Sequence, residues 1–185
     1  MTAAGGQHLR LICKRVRALP REGSPMTYKT HIAGAACLTA LWSSSKRLPA
    51  DSSLLYVAIA ASAAVLPDID CAGSWVSRRL KCPGSAIRLF TSHRGILHAP
   101  AFWLIVCAVL ASSSRLAAYL TPFGIGVYSH MLLDAMTPAG IPLFWPLSRR
   151  KIHFLKIAAG SGWELILRAA LWICLAWLIF FSLNA

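Results

Sequence analysis

The chain has 185 residues, 57% of them hydrophobic and only 14% charged, with a mean hydropathy of +0.59. A soluble domain carries about a quarter charged residues, so this composition excludes an ordinary soluble globular domain and points to an all-α, polytopic membrane helical bundle. The formal net charge of +13 does not make it a nucleic-acid binder, because the 19 Lys and Arg residues fall between hydrophobic runs instead of forming one patch.

Residues 1–25 carry the basic run Arg10, Lys14, Arg15, Arg17, Arg21 and no apolar stretch long enough for a signal-peptide core. They read as a disordered basic leader in front of a membrane-embedded domain over 26–185, and Met26, which opens MTYKTHIAG, is a candidate alternative start. Apolar segments follow at 31–45, 53–67, 96–112, 116–136 and 165–183. The last two approach the ~20 residues that a bilayer helix needs; the first three are shorter and span only if they tilt little or thin the bilayer.

Basic residues test the orientation. The stretch through Thr30 has six Lys or Arg, the next loop two (Lys46, Arg47) and the third five (Arg78, Arg79, Lys81, Arg88, Arg94). The loop around Arg115 has one, Pro146 to Arg168 has five, and the tail after Phe181 has none. High and low alternate as expected of five spans with the amino terminus in the cytoplasm and the carboxyl terminus outside. The six cysteines include no C-x-x-C pair and none falls in an external loop, so they read as small apolar residues or reduced thiols.

This topology gathers the ionisable residues that apolar segments should avoid. His31 opens the first segment, Asp68 and Asp70 in LPDID close the second, His93 and His98 in SHRGILH open the third, and His130 and Asp134 in YSHMLLDAM close the fourth. All seven fall at the cytoplasmic end. His130 and Asp134, four apart, project from one helix face and can share a metal. Asp68 and Asp70 flank Ile69, and an extended or turn segment would point both carboxylates the same way. His98 is expected at a helix start, with His93 in the preceding loop and a bend at Gly95 between them. Any one of these residues could simply cap a helix or bond a carbonyl. Burying the whole set near hydrocarbon is costly unless the groups are paired or metal-bound. Mixed nitrogen and oxygen ligands suit Zn or Mn, and the ligand count allows two ions.

Arg78, Arg79 and Arg94 lie beside this site and could clamp a phosphate, although topology alone also accounts for them. TPAGIPLFWPL, residues 137–147, is broken by Pro138, Gly140, Pro142 and Pro146, so it is expected as an interfacial or re-entrant loop closing over the site. Glu164 reads as a helix N-terminal acid, with a supporting role at the site as the alternative.

LPDID, SWVSRRL, SHRGILH and above all YSHMLLDAMTPAGIPLFWPLSRRKI resemble the YdjM-like, LexA-regulated, membrane-bound metal-dependent hydrolases of bacterial inner membranes. The resemblance covers Met26 to Leu167, with the basic leader as a departure. It implies a multi-pass inner-membrane protein in which His31, Asp68, Asp70, His93, His98, His130 and Asp134 are metal ligands. The H-x-x-x-D pair is also similar, more loosely, to a pattern in zinc-dependent phospholipases C. The expected function is hydrolysis at the cytoplasmic face of a phosphoester or lipid-linked substrate, with Asp68 or Asp70 as general base and membrane lipids as partners. The alternatives are a metal-ion or proton-coupled transporter, whose ligands would spread along the bilayer depth, and a non-catalytic metal-binding membrane factor with a closed site.

Overall fold

The structure is a computed structural model that describes residues 26–70 and 96–184, with only the backbone at Asp70 and at 182–184. The leader, His93, Gly95, Arg78, Arg79 and Arg94 lie outside the described residues. Six helices appear among the described residues: α1 (Tyr28–Ser45), α2 (Ala50–Ala63), α3 (Pro100–Ala111), the single turn α4 (Ser114–Ala117), α5 (Leu120–Ala135) and α6 (Gly162–Asn184). There is no strand among them, only an isolated antiparallel bridge between Ile141 and Ile152.

Proline explains where these elements depart from the apolar segments. The second segment starts at Ala50, directly after Pro49, and stops being α-helical at Ala63. It continues as a 3-10 turn over Leu66–Asp70, because Pro67 lacks an N–H and disfavours α geometry at Leu66. Of the extended and turn conformations expected around Asp68 and Asp70, the turn is therefore the one that forms. His98 closes a 3-10 turn over Ile96–His98 and precedes helix α3 instead of starting it. The fourth segment is two helices, α4 and α5, with Pro122 in the first turn of α5, where its missing N–H costs little.

Helix α1 packs against α2, α5 and α6, while α5 also packs against α2 and α3. Small residues allow this. Ala33, Ala35 and Ala36 on α1 and Ala60, Ala63 and Ala64 at the end of α2 are buried, which lets helix backbones approach closely. Gly126 on α5 is the tightest point, since an added Cβ would collide with the Ala60 carbonyl oxygen and come within 2.8 Å of Ala63 Cβ. Gly126→Ala is expected to destabilise the fold by about 1–3 kcal/mol. Gly124→Ala, whose Cβ meets nothing within 4 Å, should be neutral or stabilising through helix propensity. Thermal unfolding of the two purified variants checks this contrast.

The bundle buries many polar side chains beside its apolar core and exposes many apolar ones. Thr30, His31, Thr39, Ser43, Asp68, His98, Ser129, His130, Asp134, Thr137 and Glu164 are buried, whereas Leu54, Leu104, Ile105, Val109, Ile173, Trp177 and Phe180 are exposed. Contiguous exposed apolar surface on this scale marks a membrane or partner contact. Two stretches, Ala50–Ile69 and Gly162–Phe181, have the length and apolarity to cross a membrane by those criteria alone. Helix α3, with 12 residues, rises only about 18 Å, short of the ~30 Å hydrocarbon core.

Candidate metal centre

The alternation of the helices brings the start of α1, the end of α2, the approach to α3 and the end of α5 to one place. His31 stands in the first turn of α1, Asp68 in the 3-10 turn after α2, His98 just before α3, and His130 and Asp134 in the last turns of α5. The side chains of His31, His98, His130 and Asp134 are fully buried and Asp68 is 6% exposed.

Their ligand atoms form a closed ring. His98 Nε2 lies 3.6 Å from Asp68 Oδ1 and 3.6 Å from Asp134 Oδ2, and His130 Nε2 lies 3.9 and 3.7 Å from the same two oxygens. His31 Nε2 is 3.5 Å from the other Asp134 oxygen, Oδ1. The His31 and His130 rings stack at 3.8 Å, and His98 meets His130 edge to face. Most of these N···O separations are too long for hydrogen bonds. They suit ligands around one small cation, because a tetrahedron with bonds of about 2.0–2.2 Å has edges of about 3.3–3.6 Å.

Hydrogen bonding supports the same fit. His130 Nδ1 is 2.7 Å from the Ala64 carbonyl oxygen. A carbonyl only accepts, so Nδ1 carries the proton and Nε2 presents a lone pair toward the two carboxylates. His130 Nε2 and both ring nitrogens of His31 and His98 have no hydrogen-bond partner among the described residues. Each such buried atom costs about 1–3 kcal/mol, and a shared ion would relieve that cost at the Nε2 atoms, which are the ones facing the carboxylates. Two triads have ligand atoms within 4.8 Å of one another, His31 with Asp68 and His130, and His98 with His130 and Asp134.

The surroundings hold groups that motif reading did not assign. Met26 N–H donates to Asp134 Oδ1 at 3.4 Å. Glu164, at the first turn of α6, is 1% exposed and accepts from Thr27 N–H at 2.8 Å and from the Thr27 and Thr30 hydroxyls at 2.6 Å on one oxygen. Its other oxygen accepts from Gly160 N–H at 2.5 Å. It therefore ties α6 to the start of α1, one residue from the backbone that touches Asp134. Nothing in the sequence marked the Ala64 carbonyl, Met26 or the two threonines, since each acts through a contact distant in the chain.

Residues 137–157 contain no helix and turn back onto the end of α5. Ile141 and Ile152 exchange backbone hydrogen bonds of 3.0 and 2.9 Å, and Phe154 and Ile157 N–H donate to the Ala135 and Met136 carbonyls at 3.0 Å.

The profile of a family described as YdjM inner membrane protein matches residues 26–185. The chain belongs to that family. The Inner membrane protein YdjM of Escherichia coli (strain K12) is 33% identical over 123 residues, covering 62% of this chain and 61% of the relative, and that of Shigella flexneri matches identically. The YvsG protein of Bacillus subtilis (strain 168) is 30% identical over 151 residues, covering 79% of this chain and 89% of the relative. The chain thus spans about three fifths of the length of the two YdjM relatives. No solved structure matches it significantly. The family match begins at Met26 and covers every described residue of the cluster.

Proposed function

We propose that this chain is a multi-pass protein of the bacterial inner membrane that hydrolyses a phosphoester or lipid-linked substrate at a divalent metal centre on its cytoplasmic face. The observation that carries the reading is the convergence of three imidazoles and two carboxylates, with ligand atoms 3.5–3.9 Å apart and unpartnered ring nitrogens. The basic-residue alternation supports five spans with the amino terminus inside, which would put this end of the bundle at the cytoplasmic face.

His98, His130 and Asp134 would hold the ion, Zn or Mn, with a fourth position left for water; Asp68 lies beside them, and His31 would brace Asp134 from its second oxygen. The two triads share His130, whose Nδ1 is occupied by Ala64, so the described residues make one complete site. A second ion would need a bridging carboxylate together with Asp70 or His93. A bound divalent ion supplies Lewis acidity to a scissile ester and acidifies a water. Asp68, more exposed than Asp134, would accept that proton, with Asp70 next but one in the chain as the alternative. Arg78, Arg79 and Arg94 would bind the phosphate. The ligands gather at one end of the bundle, which favours an enzyme over a transporter.

Two measurements test the reading. Chelator-free purification should yield about one Zn or Mn per chain, and the loaded protein should cleave an aryl phosphodiester or a phospholipid headgroup. Metal without turnover across both substrates would leave a metal-binding membrane factor. Separately, a reporter after Ala185 should be external and one between Asp70 and His93 cytoplasmic; both on one side would remove the five-span topology.

A further inference from the structure

The loop after α5 has a chemistry that metal holding does not use. Arg149, Arg150, Lys151 and Lys156 are all exposed, and no acid occurs between Thr137 and Gly160. Beside these cations stand apolar side chains that a water-facing loop would bury. Leu147 is 93% exposed, Phe144 57%, Phe154 56% and Leu155 45%. An exposed apolar edge carrying cations and no anion matches the boundary between acyl chains and anionic headgroups. The backbone bonds from Phe154 and Ile157 to Ala135 and Met136 fix this edge directly after Asp134.

We infer that the 143–156 loop is a binding surface for anionic phospholipid headgroups, with Leu147 and Phe144 seated among the acyl chains and Arg149, Arg150 and Lys151 on the phosphates. The inference rests on the cytoplasmic placement proposed above but not on hydrolysis. It names the class of molecule brought to the site's edge: a phosphate-bearing amphiphile arriving laterally from the leaflet. The Lys46 and Arg47 turn is the natural comparison. It is also exposed, yet it is followed by Asp51 and lies at the far end of α1 from His31.

The test uses the full chain in phosphatidylcholine vesicles with spin-labelled lipid, reading the motionally restricted fraction of phosphatidylglycerol against phosphatidylcholine. Wild type should favour the anionic lipid about threefold to tenfold, since a Lys or Arg near the surface is worth about 1 kcal/mol before screening. The preference should fall as salt shortens the Debye length. Arg149→Gln/Arg150→Gln/Lys151→Gln should bring it close to parity, and Lys46→Gln/Arg47→Gln should leave it unchanged. Because removing loop charge can alter orientation, two variants keep the charge. Arg149→Lys/Arg150→Lys should retain the preference, and Leu147→Ser/Phe144→Ser should weaken it with the reporters unmoved.

Parity in wild type, an equal loss in the Lys46/Arg47 variant, or full retention in the triple variant would overturn the inference. Abolition by millimolar inorganic phosphate at constant ionic strength would also overturn it, by showing an ion site instead of a lipid surface. These readouts need neither metal nor turnover. The reporter fusions independently report the topology, so failure of the lipid inference is distinguishable from failure of the proposed placement.

Discussion

Asp134→Asn should insert normally and fold as stably as the wild type, yet lose its metal. Asn is nearly isosteric, so its side-chain oxygen can still accept from Met26 N–H, now 3.4 Å from Asp134 Oδ1. Its amide can donate toward His98 Nε2, which lies 3.6 Å from the other Asp134 oxygen. A neutral amide is also cheaper to bury than a carboxylate, so stability should stay within about 1 kcal/mol of wild type or rise. Metal affinity should fall by more than the ~10–100-fold seen when only an outer partner of a ligand is lost, because an anionic ligand itself disappears. Bound metal per purified chain decides. Equal stoichiometry in wild type and variant would make Asp134 a packing residue and remove the basis of the hydrolytic reading.

The second large effect is expected at Glu164, which touches no ligand. Its carboxylate receives three donors on one oxygen and Gly160 N–H on the other. Glu164→Gln keeps one acceptor oxygen, so a donor must face a donor on one side, at a cost of about 2–4 kcal/mol. Glu164→Ala removes both acceptors, leaving the Thr27 and Gly160 N–H groups unsatisfied and the two hydroxyls only each other at 3.2 Å, and should be worse. The loss falls on Thr27 and Thr30, which begin α1, and α1 carries His31. Metal should bind more weakly even at temperatures where the variant remains folded, and Glu164→Asp should recover part of both properties. Reduced thermal stability with unchanged metal affinity would confine Glu164 to holding α6 against α1.

The helical class was legible without coordinates, as were the apolar runs, of which Ala50–Ile69 and Gly162–Phe181 have the length and apolarity to span, and the positions of His31, Asp68, His98, His130 and Asp134 near segment ends. Each depends on local properties: apolar run length, proline positions, and His130 and Asp134 four residues apart on one helix. Local reading left an extended or a turn segment open around Asp68 and Asp70, and it is the turn that forms, as 3-10 winding at Pro67. That reading began two residues too early in placing His98 at the start of α3. Glu164 was legible as an acid in a first helical turn, but that it holds the start of another helix was not.

The order of residues along the chain by itself determined what the site can be made of. Which of those residues meet was decided by the tertiary structure. Small side chains at Ala60, Ala63 and Gly126 let α2 and α5 close on each other, bringing the Ala64 carbonyl to His130 and fixing which nitrogen carries the proton. The spacing of 3.5–3.9 Å between imidazoles and carboxylates is a property of four chain segments at once. No pattern along the sequence encodes such a distance, because it is set by how closely helices pack and not by the residues between them.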